Sequence, residues 1–171
     1  MAVYDVDKLM HEARKLAATY RRATGQALGI SNEIAIHDVI RLMKLVPAEP
    51  GAGGYDAIGT GSREGKYIQI KGRTIFSDAK STPRIGQIKM EQDWDSVMLI
   101  LMNEDYEAQA IYEADREAIV AATEEGSEKR AKRGAMSVAK FKAIGQKVWS
   151  VDEAEPSAAE KTHTVSDEQA S

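Results

Sequence analysis

The 171-residue chain contains no cysteine. Disulfide frameworks, zinc–thiolate clusters, iron–sulfur sites and thiol nucleophiles are therefore excluded together. The absence also fits a reducing compartment. Only three histidines occur, His11, His37 and His163. That argues against a multi-histidine zinc site and leaves a carboxylate-bound hard cation open. No apolar run approaches the ~18 residues of a membrane span, so no membrane partner is expected. The opening MAVYDVDKLMHEARK lacks the apolar core of a secretion signal, and the expectation is a mature, cytoplasmic protein. Gly59-Thr60-Gly61 lacks the Walker lysine, and no helix is expected to start after it, which excludes a phosphate loop. Internal repeats, helix-turn-helix signatures and finger signatures are also missing.

What is present fits one domain of ordinary size, 18.7 kDa with 43% hydrophobic and 29% charged residues. A chain this long buries roughly two-thirds of its unfolded surface without staples. The net charge of −4 is unevenly spread. Residues 151–171 hold six acids against one base, which leaves 22 basic and 21 acidic residues in the remainder. The tail is poor in apolar residues and is expected to be disordered, with a folded body over 1–150. A basic cluster lies just before it: Lys129, Arg130, Lys132, Arg133, Lys140, Lys142 and Lys147.

Helical periodicity marks 5–27, where Leu9, Ala13, Leu16, Ala17 and Tyr20 share one face. A second helix is expected over about 32–45, capped by Ser31 or Asn32, with Ile36, Val39, Ile40 and Met43, and Ile34 as a further candidate, as its apolar residues. Residues 46–54 read as a loop. The period then changes to that of strands: 55–58 and 66–71 around a glycine-rich turn form a hairpin. Residues 74–93 read as irregular. The near-continuous apolar run 97–102 is the mark of a strand buried on both faces. A further strand over 108–113, a helix over 115–123 and a last helix over 138–146, capped by Ser137, complete the chain. This order describes an α/β sandwich with a mixed central sheet.

The chemistry concentrates in GGYDAIGTGSREGKYIQIKGR, residues 53–73. Asp56 lies on the first hairpin strand, and Gln69 and Lys71 on the second. Being two apart, Gln69 and Lys71 share one sheet face, while Ile70 points into the core. A tight hairpin sets Asp56 beside them. Glu33, 23 residues earlier, opens the preceding helix within reach. A carboxylate with neighbouring oxygens suits Mg²⁺ and phosphodiester hydrolysis, and a nearby lysine suits orienting water or stabilising developing charge.

These residues resemble the motif of the PD-(D/E)xK, restriction-endonuclease-like nucleases: an acid, then [E/Q]xK across a hairpin, with a glutamate on the preceding helix. The resemblance covers about 31–113, roughly half the chain. It implies the restriction-endonuclease-like sandwich, with a mixed central sheet of four strands or slightly more. It implies a Mg²⁺-dependent nuclease acting on DNA, with Mn²⁺ as a substitute. Asp56 would be the central metal ligand, Gln69 would take the second acidic position, the Ile70 carbonyl would add a ligand, Lys71 would be the catalytic lysine and Glu33 the accessory acid. Many members are homodimers, since cutting two strands takes two sites. Two positions depart from the pattern. Tyr55 replaces the proline, and Gln69 replaces an acid, offering one neutral oxygen and lower metal affinity.

Plainer readings of the same residues stay open. Asp56 also reads as a strand-edge acid, Gln69 and Lys71 as a solvated strand face, and Glu33 as favourable at a helix N-terminus by dipole alone. His37 and Asp38, one turn on, read first as structural. Arg73, Lys80, Arg84 and Lys89, with the 129–133 cluster, are either phosphate contacts or solvated surface. Trp94 and Trp149 read as core or interface residues rather than base-stacking platforms. The alternative function is a catalytically degenerate module on the same fold that binds nucleic acid or a protein without cleavage.

Overall fold

The apolar run at 97–102 governs the architecture. In the computed structural model, which describes residues 5–78, 83–124 and 136–154, it becomes a strand buried along almost its whole length. A strand without a solvent face needs a layer on each side. In chain order the elements are helices α1 (Val6–Thr24) and α2 (Ser31–Met43), then strands β1 (Val46–Pro47), β2 (Ala57–Ile58), β3 (Tyr67–Thr74), β4 (Ser96–Met102) and β5 (Ala108–Asp115). Helices α3 (Arg116–Glu124) and α4 (Val138–Ile144), strand β6 (Gln146–Ser150) and a helical turn α5 (Val151–Ala154) follow. One sheet runs in the order β1 to β6; β3 and β4 are parallel and every other pair is antiparallel. The protein is α/β, with a six-stranded mixed sheet between helices.

The parallel step needs a pin, because parallel strands share no tight turn. Asp95 provides it. Its carboxylate accepts the Tyr67 N–H at 2.8 Å and its own N–H donates to the Tyr67 carbonyl at 2.8 Å. The Asp95 carbonyl also accepts from Arg116 at the head of α3. The register then places Gln69 beside Val97, Ile70 beside Met98 and Lys71 beside Leu99. Side chains alternate, so the two faces separate cleanly. Ile68, Ile70, Met98, Ile100 and Ile111 pack under α1 and α2 with Ala17, Ile34, Ala35 and Val39. Val97, Leu99 and Ala114 pack under α3 and α4 with Ile119, Val138 and Phe141, and Ile85, Ile88 and Trp94 join them.

Several details differ from the sequence reading. The last helix, expected over 138–146, ends at Ile144 with Gly145 after it, and Gln146–Ser150 adds a strand, β6, that the sequence reading did not contain; Trp149 pairs with Ile111. Val46–Pro47 adds β1 at the sheet edge, where a proline costs no ladder bond. Neither Ser31 nor Asn32 caps α2; Ile30 holds that position without a side-chain bond, being packed against the core instead. Ser137 does cap α4, accepting from the Lys140 N–H. Gly25, left-handed at φ 73°, ends α1. The largest change concerns the face of α1. Ala17 is buried, but Leu9, Leu16 and Tyr20 are exposed. Met10 and Arg14 turn inward beside Ala17. Arg14 forms a bidentate pair with buried Asp38 at 2.9 Å for each bond and donates to the Tyr106 carbonyl. Pairing with buried Asp38 is what draws a charged side chain into this helix interface. Lys80 and the cluster Lys129, Arg130, Lys132 and Arg133 lie outside the described residues, as do residues 155–171 of the tail.

The sheet approaches α2 most closely at Gly72. A Cβ there would overlap the Ala35 Cβ and touch Met102 and Ile100. Gly72→Ala should lose about 1–3 kcal/mol in urea unfolding, the usual cost of overpacking. Adding Ala35→Gly should return part of the loss, less the ~1 kcal/mol that a helical glycine costs.

Candidate active site

The site is built where β2 begins. β2 has only two residues, and Asp56 stands immediately before it with its N–H bonded to the Ile68 carbonyl at 2.9 Å. One step further along, the ladder acceptor for Ile70 is not a backbone carbonyl. The Asp56 carboxylate takes that place, its Oδ2 accepting the Ile70 N–H at 2.8 Å. Oδ1 has no hydrogen-bond partner among the described residues. In a strand the N–H and C=O of one residue point to the same edge, so the Ile70 carbonyl also faces the Asp56 side.

Gln69 lies on the opposite face of β3 from Ile70 and is 4% exposed. Its Nε2 donates to the Gly54 carbonyl at 2.9 Å, which orients the amide. Its Oε1 is buried and has no hydrogen-bond partner. Burying an oxygen without a donor costs free energy, which a bound water or cation at that oxygen would offset. Gly54 makes the close packing possible. It adopts φ 92°, and a Cβ there would stand 2.5 Å from the Gln92 Cβ. Gln92, whose Oε1 is likewise buried and unpartnered, was missed in the sequence because its segment has no period; the Gly53-Gly54 pair was its only signal. Arg116 holds this segment in place, donating to the carbonyls of Met90, Gln92 and Trp94 and lying 4.4 Å over the Trp94 ring.

Lys71 is half-buried on the same face as Gln69. Its pKa is lowered, first by burial. The Asp56 charge raises it in part, and the neighbouring charges of Lys89 and Arg73 lower it further. The ammonium thus stands among one anion and two cations in a partly dry setting.

The other expected residues are placed as follows. Arg73 shares the Lys71 face, but its guanidinium donates to the Arg84 and Gly72 carbonyls and holds 84–86 onto β3; burial lowers its pKa. Arg84 is exposed and its backbone bridges to Ser137. Glu33 is exposed in the first turn of α2, and α2 covers the sheet face opposite to Gln69 and Lys71. No hydrogen bond or ion pair among the described residues joins it to Asp56. His37 pairs with Asp7 at 3.0 Å and Asp38 with Arg14, so both have structural roles. Trp94 is core, as expected.

Asp56 Oδ1, Gln69 Oε1 and the Ile70 carbonyl are hard oxygen donors, the kind that suit Mg²⁺ or Mn²⁺. The orphaned Gln69 oxygen is the observation that fits a cation. Among the described residues no group of three or more histidines and carboxylates is placed to hold one, so the set carries a single full negative charge. Nor is any helix among them long and apolar enough to cross a membrane. Compared with family models and with curated proteins, the sequence gives no match.

Lys71 supplies a direct check of this electrostatic arrangement. Its titration, followed by NMR on ¹³C-labelled lysine, should have a midpoint below that of an ordinary lysine. Asp56→Asn keeps an acceptor for the Ile70 N–H but removes the charge, so the midpoint should fall further. Between the lowered native value and the ordinary one, the unfolded chain binds more proton. This group's contribution to stability therefore rises with pH through that window.

Proposed function

We propose that the protein is a Mg²⁺-dependent nuclease of the restriction-endonuclease-like, PD-(D/E)xK kind, acting on DNA. The observation that carries the reading is the buried, unsatisfied Gln69 Oε1 on the same strand face as Lys71, a half-buried lysine whose charge interacts with that of Asp56. The hairpin leading into β3, followed by a parallel step to β4, supports the fold half of the reading.

Asp56, fixed through Oδ2 by the Ile70 N–H, would present Oδ1 to the cation. Gln69, fixed through Nε2, would present Oε1, and the Ile70 carbonyl would add a third oxygen. A divalent cation held there supplies Lewis acidity to a phosphodiester. Lys71 has two uses at this spot. As a neutral amine, favoured by its lowered pKa, it takes a proton from the attacking water; as an ammonium it stabilises charge developing on the phosphoryl oxygens. Lys89, close enough to perturb Lys71, adds positive potential on the approach of a phosphate. Hydrolysis would be in line at phosphorus. Glu33 is assigned the accessory role that the motif implies, outside the immediate cluster.

Cleavage of labelled duplex, nicked, branched and single-stranded DNA tests this, beside Mn²⁺ titration followed by electron paramagnetic resonance. Cutting should require Mg²⁺ or Mn²⁺ and should fall by about a hundredfold or more in Lys71→Ala, the usual scale for loss of an acid–base group. Gln69→Glu should tighten Mn²⁺ binding, and Asp56→Asn should weaken it. Cutting that survives Lys71→Ala would place the chemistry elsewhere. Salt-sensitive DNA binding without cutting or Mn²⁺ binding would favour the non-catalytic nucleic-acid-binding module, whose best support is the neutral Gln69.

A further inference from the structure

The strand face that carries Gln69 and Lys71 begins with an aromatic ring. Tyr67 is the first residue of β3, and alternation puts Tyr67, Gln69, Lys71 and Arg73 on one side. The Tyr67 ring stacks on that of Tyr55, with centroids 4.1 Å apart and planes 5° from parallel. Tyr55 immediately precedes Asp56 and is partly buried against the core cluster of Trp94 and Val97. Tyr67 lies over it and is 38% exposed. One face of the Tyr67 ring is thus covered from the core side, and the other is turned to solvent. Its phenol makes no hydrogen bond among the described residues. The ring is nevertheless held in place. Asp95 fixes the Tyr67 backbone through both its N–H and its carbonyl, each at 2.8 Å, and Tyr55 fixes the ring plane. A flat apolar surface that is already ordered loses little freedom when something flat lies on it.

We infer that Tyr67, backed by Tyr55, is a stacking platform for an unpaired nucleobase close to the phosphodiester held at Asp56, Gln69 and Lys71. The substrate class is then single-stranded DNA, or duplex with a single-stranded flank. The inference rests on the nuclease reading for the position of that phosphodiester, whereas the platform itself is a binding property. Every base has a π-face, so stacking on an aromatic ring tolerates any sequence. Bases inside a closed duplex are stacked by their neighbours and have no face to give; an unpaired base does. The span fits. Tyr67 and Lys71 are four residues apart, about 13 Å along a strand, or about four base steps at the stacked rise of 3.4 Å. Charge orders the two ends. Asp95 places a negative charge at the Tyr67 end, while Lys71, Arg73 and Lys89 gather at the other. Lys89 is exposed and has no ion pair among the described residues. Phosphate is therefore drawn towards Lys71, and the ring is left to the base. The platform is particular to this chain, because Tyr55, which supports the ring, is the residue that replaces the proline of the motif.

Fluorescence anisotropy of the full chain tests this without cleavage, with EDTA and with Ca²⁺ in place of Mg²⁺. The probes are a labelled single-stranded DNA and a duplex whose ends are closed by non-nucleotide linkers. Tyr67→Leu keeps an apolar cover over Tyr55 but has no ring face. It should weaken single-strand binding by about five- to a hundredfold, the usual scale for one base–aromatic stack, and leave duplex binding unchanged. Tyr67→Phe keeps the ring and should bind as the native chain does. 2-Aminopurine moved along the single strand should be quenched most at the base on the platform, and Tyr67→Leu should abolish that quenching. Circular dichroism of both variants should match the native spectrum. Equal single-strand affinity in the native chain and Tyr67→Leu would overturn the platform, even with cutting that depends on metal and Lys71. A native chain that binds no single strand under either condition would overturn it as well. Tyr67-dependent single-strand binding without cutting of any substrate would keep the platform and set aside the nuclease reading.

Discussion

Burial of β4 on both faces is the constraint from which the rest follows. A strand of Val, Met, Leu and Ile with no wet side is stable only between two layers, and its neighbours must supply them. α1 and α2 arrive first in the chain and cover one face; α3, α4 and the segment around Trp94 cover the other. β3 lies directly beside β4, held in parallel register by Asp95. Ile68 and Ile70 therefore enter the first core, while Gln69 and Lys71 turn towards the second. The candidate site side chains sit on a strand whose alternate residues anchor it, so their positions are set by core packing rather than by loop conformation.

Within that frame the neutral Gln69 has an electrostatic effect on its neighbour. A second carboxylate beside Lys71 would join Asp56 in raising the lysine pKa and would hold the ammonium charged. With an amide there, burial and the nearby Lys89 and Arg73 prevail, and the amine is available at lower pH. The amide at position 69 thus favours the basic form of the lysine. Because the two side chains share one strand face, the charge carried at residue 69 and the charge state of Lys71 cannot be set separately.

Much of the fold was legible in the sequence because hydrophobic period and turn chemistry agreed. The run at 97–102, the glycine-rich hairpin and Ser137 before an apolar helix each had one local interpretation. The failures came where tertiary contacts decide. The periodicity of α1 marks an apolar face correctly, but a buried Arg14–Asp38 pair rotates the adjacent row inward, and no single-helix pattern contains Asp38. β6 is short and polar at its start, and only its pairing with β5 makes it a strand. For the site, Asp56, Gln69 and Lys71 could be read from alternation and spacing. Gln92 and the anchoring role of Arg116 could not, because they act through backbone carbonyls in a segment without regular structure.

The position of β6 also shapes how this chain is made. Ile111 on β5 pairs with Trp149, 38 residues downstream. Until that stretch has left the ribosome, β5 presents a row of unpaired amides and carbonyls beside an already apolar strand. An open sheet edge of this kind templates pairing with any other extended chain. A hazard of misassembly therefore falls in the interval of synthesis between β5 and β6; pairing then covers the longer β5 edge and leaves the shorter β6, with Lys147 near its start, as the edge of the sheet.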